Sequence, residues 1–276
     1  MSASITNTFI IQFESEVHVA YQRAGSKIAG LVRKKAVKGE TVRFFKAGKG
    51  SAGTKSRHGL VPTMNVDHNS VNATMSDFYA ADYVDDLDEL KFDIDERRVV
   101  AGAGAMALGR KTDELLVTAM SAATTNPLIT AAATGLTATK INTTFERFGN
   151  NDVPDDGQRY FFVGPEGWTD LLAISAFSDA DFIGSDDLPY KGGMVAKQWM
   201  GFTFIGFSGL AAGAGGATEA RALAWHRTAE GLGVGKEVST KIDWIAERSA
   251  YLITSKMSMG CVNIDETGIQ AIDYVK

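Results

Sequence analysis

Two short runs in the first half of the chain alternate apolar and polar residues, which is the pattern of half-buried β-strands. One run is "ETVRFFKAG" over 40–48, and the other is "VNATMSDFYA" over 71–80, where Val71, Ala73 and Met75 fall on one face. The residues between them are rich in Gly, Lys and Ser. The pattern predicts an extended β-hairpin with a long polar loop. Such a hairpin is poorly stable alone in water, so we expect it to lie against another surface.

Residues 93–122 show the spacing of one long helix. Asp93 followed by Glu96 resembles a capping box at its start, and Asn126-Pro127 provides a stop. The face predicted to be buried consists of Val100, Ala103, Ala107, Leu108, Leu115 and Ala119.

The stretch "VVAGAGAMA" over 99–107 has glycines at the first two positions of the dinucleotide-binding pattern G-x-G-x-x-G/A, so a nucleotide-dependent cytosolic enzyme is an alternative. A nucleotide-binding turn follows a buried strand and precedes an acidic residue by about 20 positions. Here Asp-Glu-Arg-Arg comes before the stretch, and "MSAATT" occupies the acidic position. We therefore place the glycines inside the helix, where Gly102, Gly104 and Gly109 each weaken it by about 1 kcal/mol relative to alanine. Either another backbone packs closely at these positions or the helix bends there.

The remaining segments predict a mixed α+β fold. An amphipathic helix is predicted over 9–22 because Phe13, Val17 and Tyr21 recur at helical spacing. In the second half, the pattern predicts a helix over 136–154 ended by Gly149, a buried strand over 159–163 and a helix that starts near Pro165. A loop-rich region over 184–221 surrounds a predicted strand at 202–207. Strands are predicted over 222–275, with Met257, Met259 and Cys261 on one face.

Composition and charge narrow the possible functions. The chain has 276 residues, 45% hydrophobic and 22% charged, with a net charge of −5, as in a soluble protein of one large or two modest domains. Residues 23–57 nevertheless carry a net charge of +10 and residues 77–96 a net charge of −8. Opposite blocks this close together indicate complementary docking, within the chain or between copies. The docking candidates are Arg43, Lys46, Lys49, Lys55 and Arg57 on the basic side, and Asp82, Asp85, Asp86, Asp88 and Glu89 on the acidic side.

No set of residues predicts catalysis, a cofactor or a metal site. Cys261 is the single cysteine and the four histidines are scattered, which excludes a disulfide framework and a thiolate metal cluster. His226, at the end of an apolar run, is predicted to be a core or rim histidine. A pI near 5.5 argues against dedicated nucleic-acid binding by the basic block. The sequence predicts neither a membrane span nor a secretion signal, which favours a protein kept in a reducing cytoplasm.

The order of these parts resembles that of the major capsid proteins of tailed bacteriophages, which have the Hong Kong 97-like fold. The strings "QFESEVHVAYQRAGSKIAGLVRKK", "SRHGLVPTMNVDHNS", "YVDDLDELKFDIDERR" and "ALGRKTDELL" are similar to segments of one capsid-protein subgroup. The resemblance implies an N-terminal arm (1–39), an extended hairpin or E-loop with an acidic turn (40–92), a peripheral P-domain with a spine helix (93–183), a loop-rich axial A-domain (184–237), and C-terminal strands that return to the P-domain (238–276).

The resemblance also implies a function. The chain would form pentamers and hexamers of an icosahedral virion shell, assembled in the host bacterial cytoplasm around double-stranded DNA held without sequence specificity. It implies a portal protein and a separate scaffolding protein or none, and leaves decoration proteins open. The family's spine helix is bent in the immature shell and straighter in the mature one, so Gly102, Gly104 and Gly109 are candidate bend positions. An encapsulin-like compartment loaded with enzyme cargo is the alternative within the same fold.

Overall fold

A computed structural model describes residues 25–89, 95–178 and 196–276. The helices are α1 (Asp86–Glu89), α2 (Glu96–Ser121), α3 (Ala138–Asn150), α4 (Pro165–Ala173) and α5 (Ser175–Ser178). The strands are β1 (Arg33–Ala36), β2 (Thr41–Ala47), β3 (His68–Thr74), β4 (Ser76–Asp85), β5 (Arg159–Val163), β6 (Lys197–Trp199), β7 (Phe202–Gly206), β8 (Ala212–Gly213), β9 (Gly216–His226), β10 (Glu230–Ile245), β11 (Ala250–Asn263) and β12 (Ile269–Val275).

These strands form three sheets. A four-stranded sheet has the order β1-β10-β11-β4, and α2 packs on it. A six-stranded sheet has the order β12-β9-β5-β7-β6, with β8 paired to β9. The third sheet is the isolated hairpin β2-β3. Helix and sheet are therefore mixed, as the sequence predicts.

The hairpin is present, but its second strand is shorter than predicted. β2 and β3 pair antiparallel from Thr41 opposite Thr74 to Ala47 opposite His68. The predicted strand over 71–80 divides at Met75, and the part beyond it is β4, which pairs with β11 in the four-stranded sheet. Where the chain passes from β3 to β4, at Thr74 and Met75, it lies directly over Gly260 of β11. A Cβ atom on Gly260 would collide with the carbonyl oxygen of Thr74. The alternation changes phase at this division, because Val71, Ala73 and Met75 occupy odd positions whereas the inward-facing Phe78, Ala80 and Val84 of β4 occupy even positions. The prediction of one continuous strand overlooks this shift.

The long helix α2 is confirmed, with two corrections. It begins at Glu96, and its N-cap is Asp95, whose carboxylate accepts a hydrogen bond from the Arg98 N–H at 3.2 Å. The capping role predicted for Asp93 is therefore wrong, and Asp93 itself lies outside the described residues.

The buried face of α2 also differs from the predicted one. It contains Leu108, Gly109, Thr112, Asp113, Leu116, Val117 and Met120. Leu108 is the one member of the predicted face that is buried. Leu115, Ala119 and the small residues before Leu108 are half-exposed. The error arises because the predicted face includes Val100, Ala103 and Ala107 of the first half, which are half-exposed, and this sets the wrong phase for the second half.

The second half of the chain agrees closely with the prediction. β5 spans the predicted residues, α4 starts at Pro165, and β7 ends one residue before Phe207. α3 runs through Gly149 and ends at Asn150, so Gly149 does not terminate it. The aromatic rings of β5 and β7 fill the core of the six-stranded sheet, with the Phe161 and Phe204 centroids 4.7 Å apart. The helix predicted over 9–22 lies outside the described residues, as do residues 179–195 of the loop-rich region.

Candidate inter-subunit surfaces

The base of the hairpin is fixed to the body of the subunit. Val42 and Phe44 of β2 pack with Ala73 of β3 and Ile264 in a small buried cluster. Gly231 and Gly233 of β10 make room for them, because a Cβ on Gly231 would lie 2.9 Å from the Phe44 ring. The hairpin is therefore anchored through one apolar face, and Phe45 on the other face is 68% exposed.

Beyond the paired strands, the loop over 48–67 extends into solvent. Its two legs lie side by side, with the Gly48 N–H donating to the Asp67 carbonyl oxygen at 2.7 Å. Leu60 is 95% exposed and Val61 is 73% exposed, which is unusual for two large apolar neighbours. The candidate residues Lys55 and Arg57 are also exposed on this loop.

Two cations of the hairpin contact acids that the sequence analysis did not single out. Lys46 forms an ion pair with Asp265 at 2.8 Å, and Lys49 forms one with Asp152 at 2.6 Å. The hydrogen bond from Lys49 lowers the pKa of Asp152. Burial opposes ionisation of Asp265, yet hydrogen bonds from Lys46 and Thr267 hold its pKa below the usual value. The half-buried Lys46 pair therefore helps to fasten the hairpin to its own subunit, whereas the exposed Lys49 pair contributes little to stability.

The other basic candidates make different contacts. The Arg43 guanidinium donates to the Asn72 side-chain oxygen across the hairpin at 3.1 Å. Among the described residues, no ion pair joins the hairpin cations to the acidic stretch 77–89. Lys55 and Arg57, far out on the loop, are the cations best placed to reach another molecule.

The acidic candidates are divided between two elements: two lie on β4, the edge strand of the four-stranded sheet, and three lie in the short helix α1 that follows it. Asp82 and Asp85 are exposed, and strand alternation directs them to opposite faces. Asp86 starts the short helix α1, which also includes Asp88 and Glu89, whose side chains lie outside the described set. Among the acidic candidates with described side chains, Asp82 and Asp85 therefore do not share one face of β4.

The outward face of β4 offers more than charge. Tyr79 is 66% exposed and Tyr83 is 43% exposed on the same face as Asp85. A cavity of about 290 Å³ lies beside them, lined by Tyr83, Asp85, Glu96 and Arg248 among others. The Arg248 guanidinium already lies over the Tyr83 ring, 4.5 Å from its centroid. The rest of this surface is aromatic and acidic, and it suits an incoming arm that carries both apolar and cationic side chains.

The three helix glycines have different surroundings. A Cβ on Gly109 would lie 2.6 Å from the Cα and carbonyl carbon of Gly25, so close backbone packing explains this glycine. A Cβ on Gly104 would lie 2.9 Å from the hydroxyl of Ser255, which is buried and hydrogen-bonded to the Thr240 hydroxyl. No heavy atom lies within 4 Å of a Cβ placed on Gly102. Packing thus accounts for Gly109 and leaves Gly102 without a steric reason.

The remaining chemical candidates are structural. "VVAGAGAMA" lies wholly inside α2, so it forms no nucleotide-binding turn. His226 is buried, as predicted, with Nε2 3.1 Å from Asp156 and Nδ1 2.8 Å from the Thr228 hydroxyl. Burial raises the pKa of the Cys261 thiol to about 12, which makes it a poor nucleophile.

Within the described ranges, no group of three or more His, Cys, Asp or Glu side chains is arranged to hold a metal ion. None of the helices in the described part of the chain is both long and apolar enough to cross a membrane.

Comparison with protein-family models gives a match to "Phage capsid protein" over residues 5–276. The chain belongs to the phage capsid protein family. This capsid protein is a structural, shell-forming component of the virion and not an enzyme, which confirms the function predicted from the sequence. A search of curated protein sequences finds no match.

Solved structures agree in fold across nearly the whole chain. The capsid of the cyanophage P-SCSP1u superposes with a TM-score of 0.76 at 16% identity, covering 99% of this chain and 94% of the other. The solved structure of Mycobacterium phage Che8 superposes with a TM-score of 0.75 at 17% identity, covering 96% of this chain and 97% of the other. The capsid of a native GTA particle superposes with a TM-score of 0.78 at 10% identity, covering 99% of this chain and 98% of the other. This capsid protein therefore shares the fold of phage capsid subunits despite very low identity.

Proposed function

We propose that this capsid protein forms pentamers and hexamers of a closed icosahedral shell that encloses double-stranded phage DNA. In this proposal the chain has the Hong Kong 97-like division into an N-terminal arm (1–39), hairpin and acidic segment (40–92), P-domain (93–183), A-domain (184–237) and returning strands (238–276). The family match and the fold shared with phage capsids support it.

The hairpin loop over 48–67 is proposed to lie across a neighbouring subunit. The observation that carries this step is the contrast between the fixed base and the exposed loop. The base is held by a buried cluster and by the Lys46 ion pair, whereas Leu60 is 95% exposed and Val61 is 73% exposed. Adjacent exposed apolar side chains on an anchored arm are typical of a protein-binding segment.

The receiving surface is proposed to be the outward face of β4 with the start of α1. Tyr79 and Tyr83 provide aromatic area, and Asp85 and Asp86 provide negative charge for Lys55 and Arg57. One exposed ion pair contributes about 0–1 kcal/mol. In a closed shell every subunit repeats the contact, so weak pairs add up to a stable assembly.

The further partners are also proposals. We infer a non-specific interaction with the packaged DNA, a portal protein, and a scaffolding protein supplied separately or not at all, with assembly in the bacterial cytoplasm. An encapsulin-like compartment would instead contain a cargo enzyme. Purified shells that retain nuclease-resistant DNA when made during phage infection support the phage capsid, and shells filled with one enzyme contradict it.

Charge reversal tests the docking step. Because Lys46 and Lys49 have partners in their own chain, the informative double variant is Lys55→Glu with Arg57→Glu. It is expected to reduce shell yield in negative-stain images at least tenfold, and adding Asp85→Lys with Asp86→Lys is expected to restore assembly.

The matched control applies the same charge change outside the hairpin, at the exposed residues Lys34 and Lys38. This control is expected to assemble better than the hairpin variant. Normal shells from the Lys55→Glu, Arg57→Glu variant would contradict docking through these charges.

A further inference from the structure

The strand β4 is a free edge of the four-stranded sheet. Its ten residues pair with β11 in one continuous register without a bulge. In the described part of the chain, no other strand pairs with β4. Alternate residues of an antiparallel strand direct their N–H and C=O groups away from the partner strand, so about half of the β4 backbone groups point outward. Such an edge is a template for another strand.

β4 lacks the features that block an exposed edge. Proteins protect edge strands with lysine, proline or a bulge. The sequence of β4, SDFYAADYVD, contains no lysine, arginine, proline or glycine, and its charged residues are Asp77, Asp82 and Asp85. The opposite edge of the sheet, where β10 extends beyond β1, has register shifts on both sides of Lys236 and also carries Lys241. The three acids of β4 repel a second acidic edge and favour a cationic strand.

The first leg of the hairpin loop, residues 48–57, has the properties of such a strand. It forms no helix or strand within the subunit, and all of its residues are exposed. One side of the leg packs against the second leg, because a Cβ on Gly53 would lie 2.9 Å from the Pro62 ring. The leg carries Lys49, Lys55 and Arg57 and no acid. Ten residues of extended chain are about 33 Å long, which is also the length of β4.

The charges of the two segments have the same spacing. Lys49 and Arg57 are eight residues apart, and so are Asp77 and Asp85. Residues an even number apart lie on one face of a strand, and for both pairs the separation is about 26 Å. When Lys49 lies beside Asp77, Arg57 therefore lies beside Asp85 on the outward face. The ion pair of Lys49 with Asp152 in its own chain is exposed and weak, so it does not hold Lys49 back.

The leg that reaches β4 belongs to a second copy of the chain. β4 pairs with residues 250–259 of β11. The hairpin of the same subunit runs in the other direction, past Ile264 to the ion pair of Lys46 with Asp265. The seven residues of β3, about 23 Å of strand, separate the loop from the start of β4. The loop of the same chain is therefore carried away from this edge.

We propose that residues 48–57 of one subunit pair in parallel with β4 of a neighbouring subunit and add a fifth strand to its four-stranded sheet. The inference rests on the proposed function, in which the loop lies across a neighbour, and it adds the backbone pairing and the register. Backbone hydrogen bonds supply attraction, and the charges fix the register. The parallel direction places Lys55 and Arg57 at the end of β4 where Asp86 follows Asp85.

Amide hydrogen exchange tests the backbone pairing in the unaltered full-length chain, compared between unassembled subunits and purified shells. The β4 amides that do not bond to β11 are expected to exchange about tenfold or more slowly in shells. The outer edge of β10 over 239–245 is the internal control and is expected to keep its rate.

Two results would overturn the inference alone: shells whose β4 amides exchange as fast as in subunits, or equal slowing at both edges. Absence of shells from the unaltered chain would overturn the proposed function, and this inference with it.

Cysteine pairs between subunits test the register. In the parallel register residue 51 lies beside residue 79, within disulfide distance, so Ser51→Cys with Tyr79→Cys is expected to crosslink roughly half or more of the chains in shells. The matched control, Ser51→Cys with Tyr83→Cys, replaces the other exposed tyrosine of the same face and is expected to crosslink less than about a tenth. The native Cys261 contributes little background because its thiol is largely buried.

The crosslinked pair is identified by mass spectrometry after non-reducing electrophoresis. Crosslinking mainly through the Tyr83→Cys pair, which the antiparallel direction would bring together, overturns the parallel register. Equally low yields from both pairs in intact shells overturn the pairing of this leg with β4. Where a tyrosine replacement prevents assembly, the exchange measurement on the unaltered chain decides.

Discussion

Replacing Gly109 with alanine is expected to destabilise the subunit, whereas the same replacement at Gly102, two turns earlier on α2, is expected to stabilise it. Alanine is favoured over glycine by about 1 kcal/mol in a helix interior at both positions. At Gly102 no heavy atom lies within 4 Å of the added Cβ, so the whole gain is retained.

At Gly109 the added Cβ would lie 2.6 Å from two backbone atoms of Gly25. The neighbouring backbone is held by hydrogen bonds from Lys27 and Ile28 to Asp113, so it resists displacement. Overpacking of this kind costs about 1–3 kcal/mol. After the helix gain is subtracted, we expect a net loss of about 1 kcal/mol and a difference of about 2 kcal/mol between the variants.

Urea unfolding of the unassembled subunit measures this difference. For a chain of 276 residues, 1 kcal/mol corresponds to a shift of about 2 °C in Tm, so thermal unfolding gives an independent check. Equal changes of the same sign at both positions would refute the assignment of Gly109 to close packing. Retention of the wild-type rate of shell expansion by Gly102→Ala would show that this glycine is not required as a bend.

Three further outcomes are expected. Asp113→Asn should lower the free energy of unfolding by about 2 kcal/mol, because a charged acceptor of several hydrogen bonds is lost, and should speed tryptic cleavage after Lys27. Lys46→Ala should cost up to about 1 kcal/mol, because its ion pair is half-buried, whereas Lys49→Ala, whose pair is fully exposed, should leave urea unfolding unchanged. Burial raises the pKa of the Glu230 carboxyl well above 4.5. Because the unfolded chain releases this proton at a lower pH than the folded chain, the free energy of unfolding falls as pH rises above about 4.5. Glu230→Gln should remove this pH dependence and raise the free energy of unfolding at pH 7, as measured by urea unfolding at several pH values.

The elements predicted best from the sequence are those fixed by local pattern. β5, the start of α4 at Pro165, and β7 follow from apolar runs and a proline whose preferred position is the first helical turn. The β2-β3 hairpin follows from alternation alone.

The elements predicted less well depend on contacts distant in sequence. The partner of Lys49 is Asp152, 103 residues away, and no local pattern marks that acid as a hairpin contact. The division at Met75 depends on Gly260, and the buried phase of α2 depends on which face meets β11. The docking charges stay a prediction, since the partner they are proposed to meet is a second copy of the chain.

Asp113 illustrates a residue whose role the sequence hides. It lies in a charged run, "GRKTDELL", and looks like a solvated helix position. It is buried because the chain at Ser26–Ile28 crosses α2 there and supplies three donors. A glycine one turn earlier, at Gly109, is the sequence signal that could have indicated the crossing.

Electron microscopy of the purified full-length protein tests the central claim most directly. Expressed in bacteria, alone and then with the scaffolding candidate of its own phage, the chain is expected to form closed shells of uniform diameter with pentameric and hexameric capsomers. Subunits that remain monomeric under both conditions would contradict its assignment as the shell-forming capsid subunit.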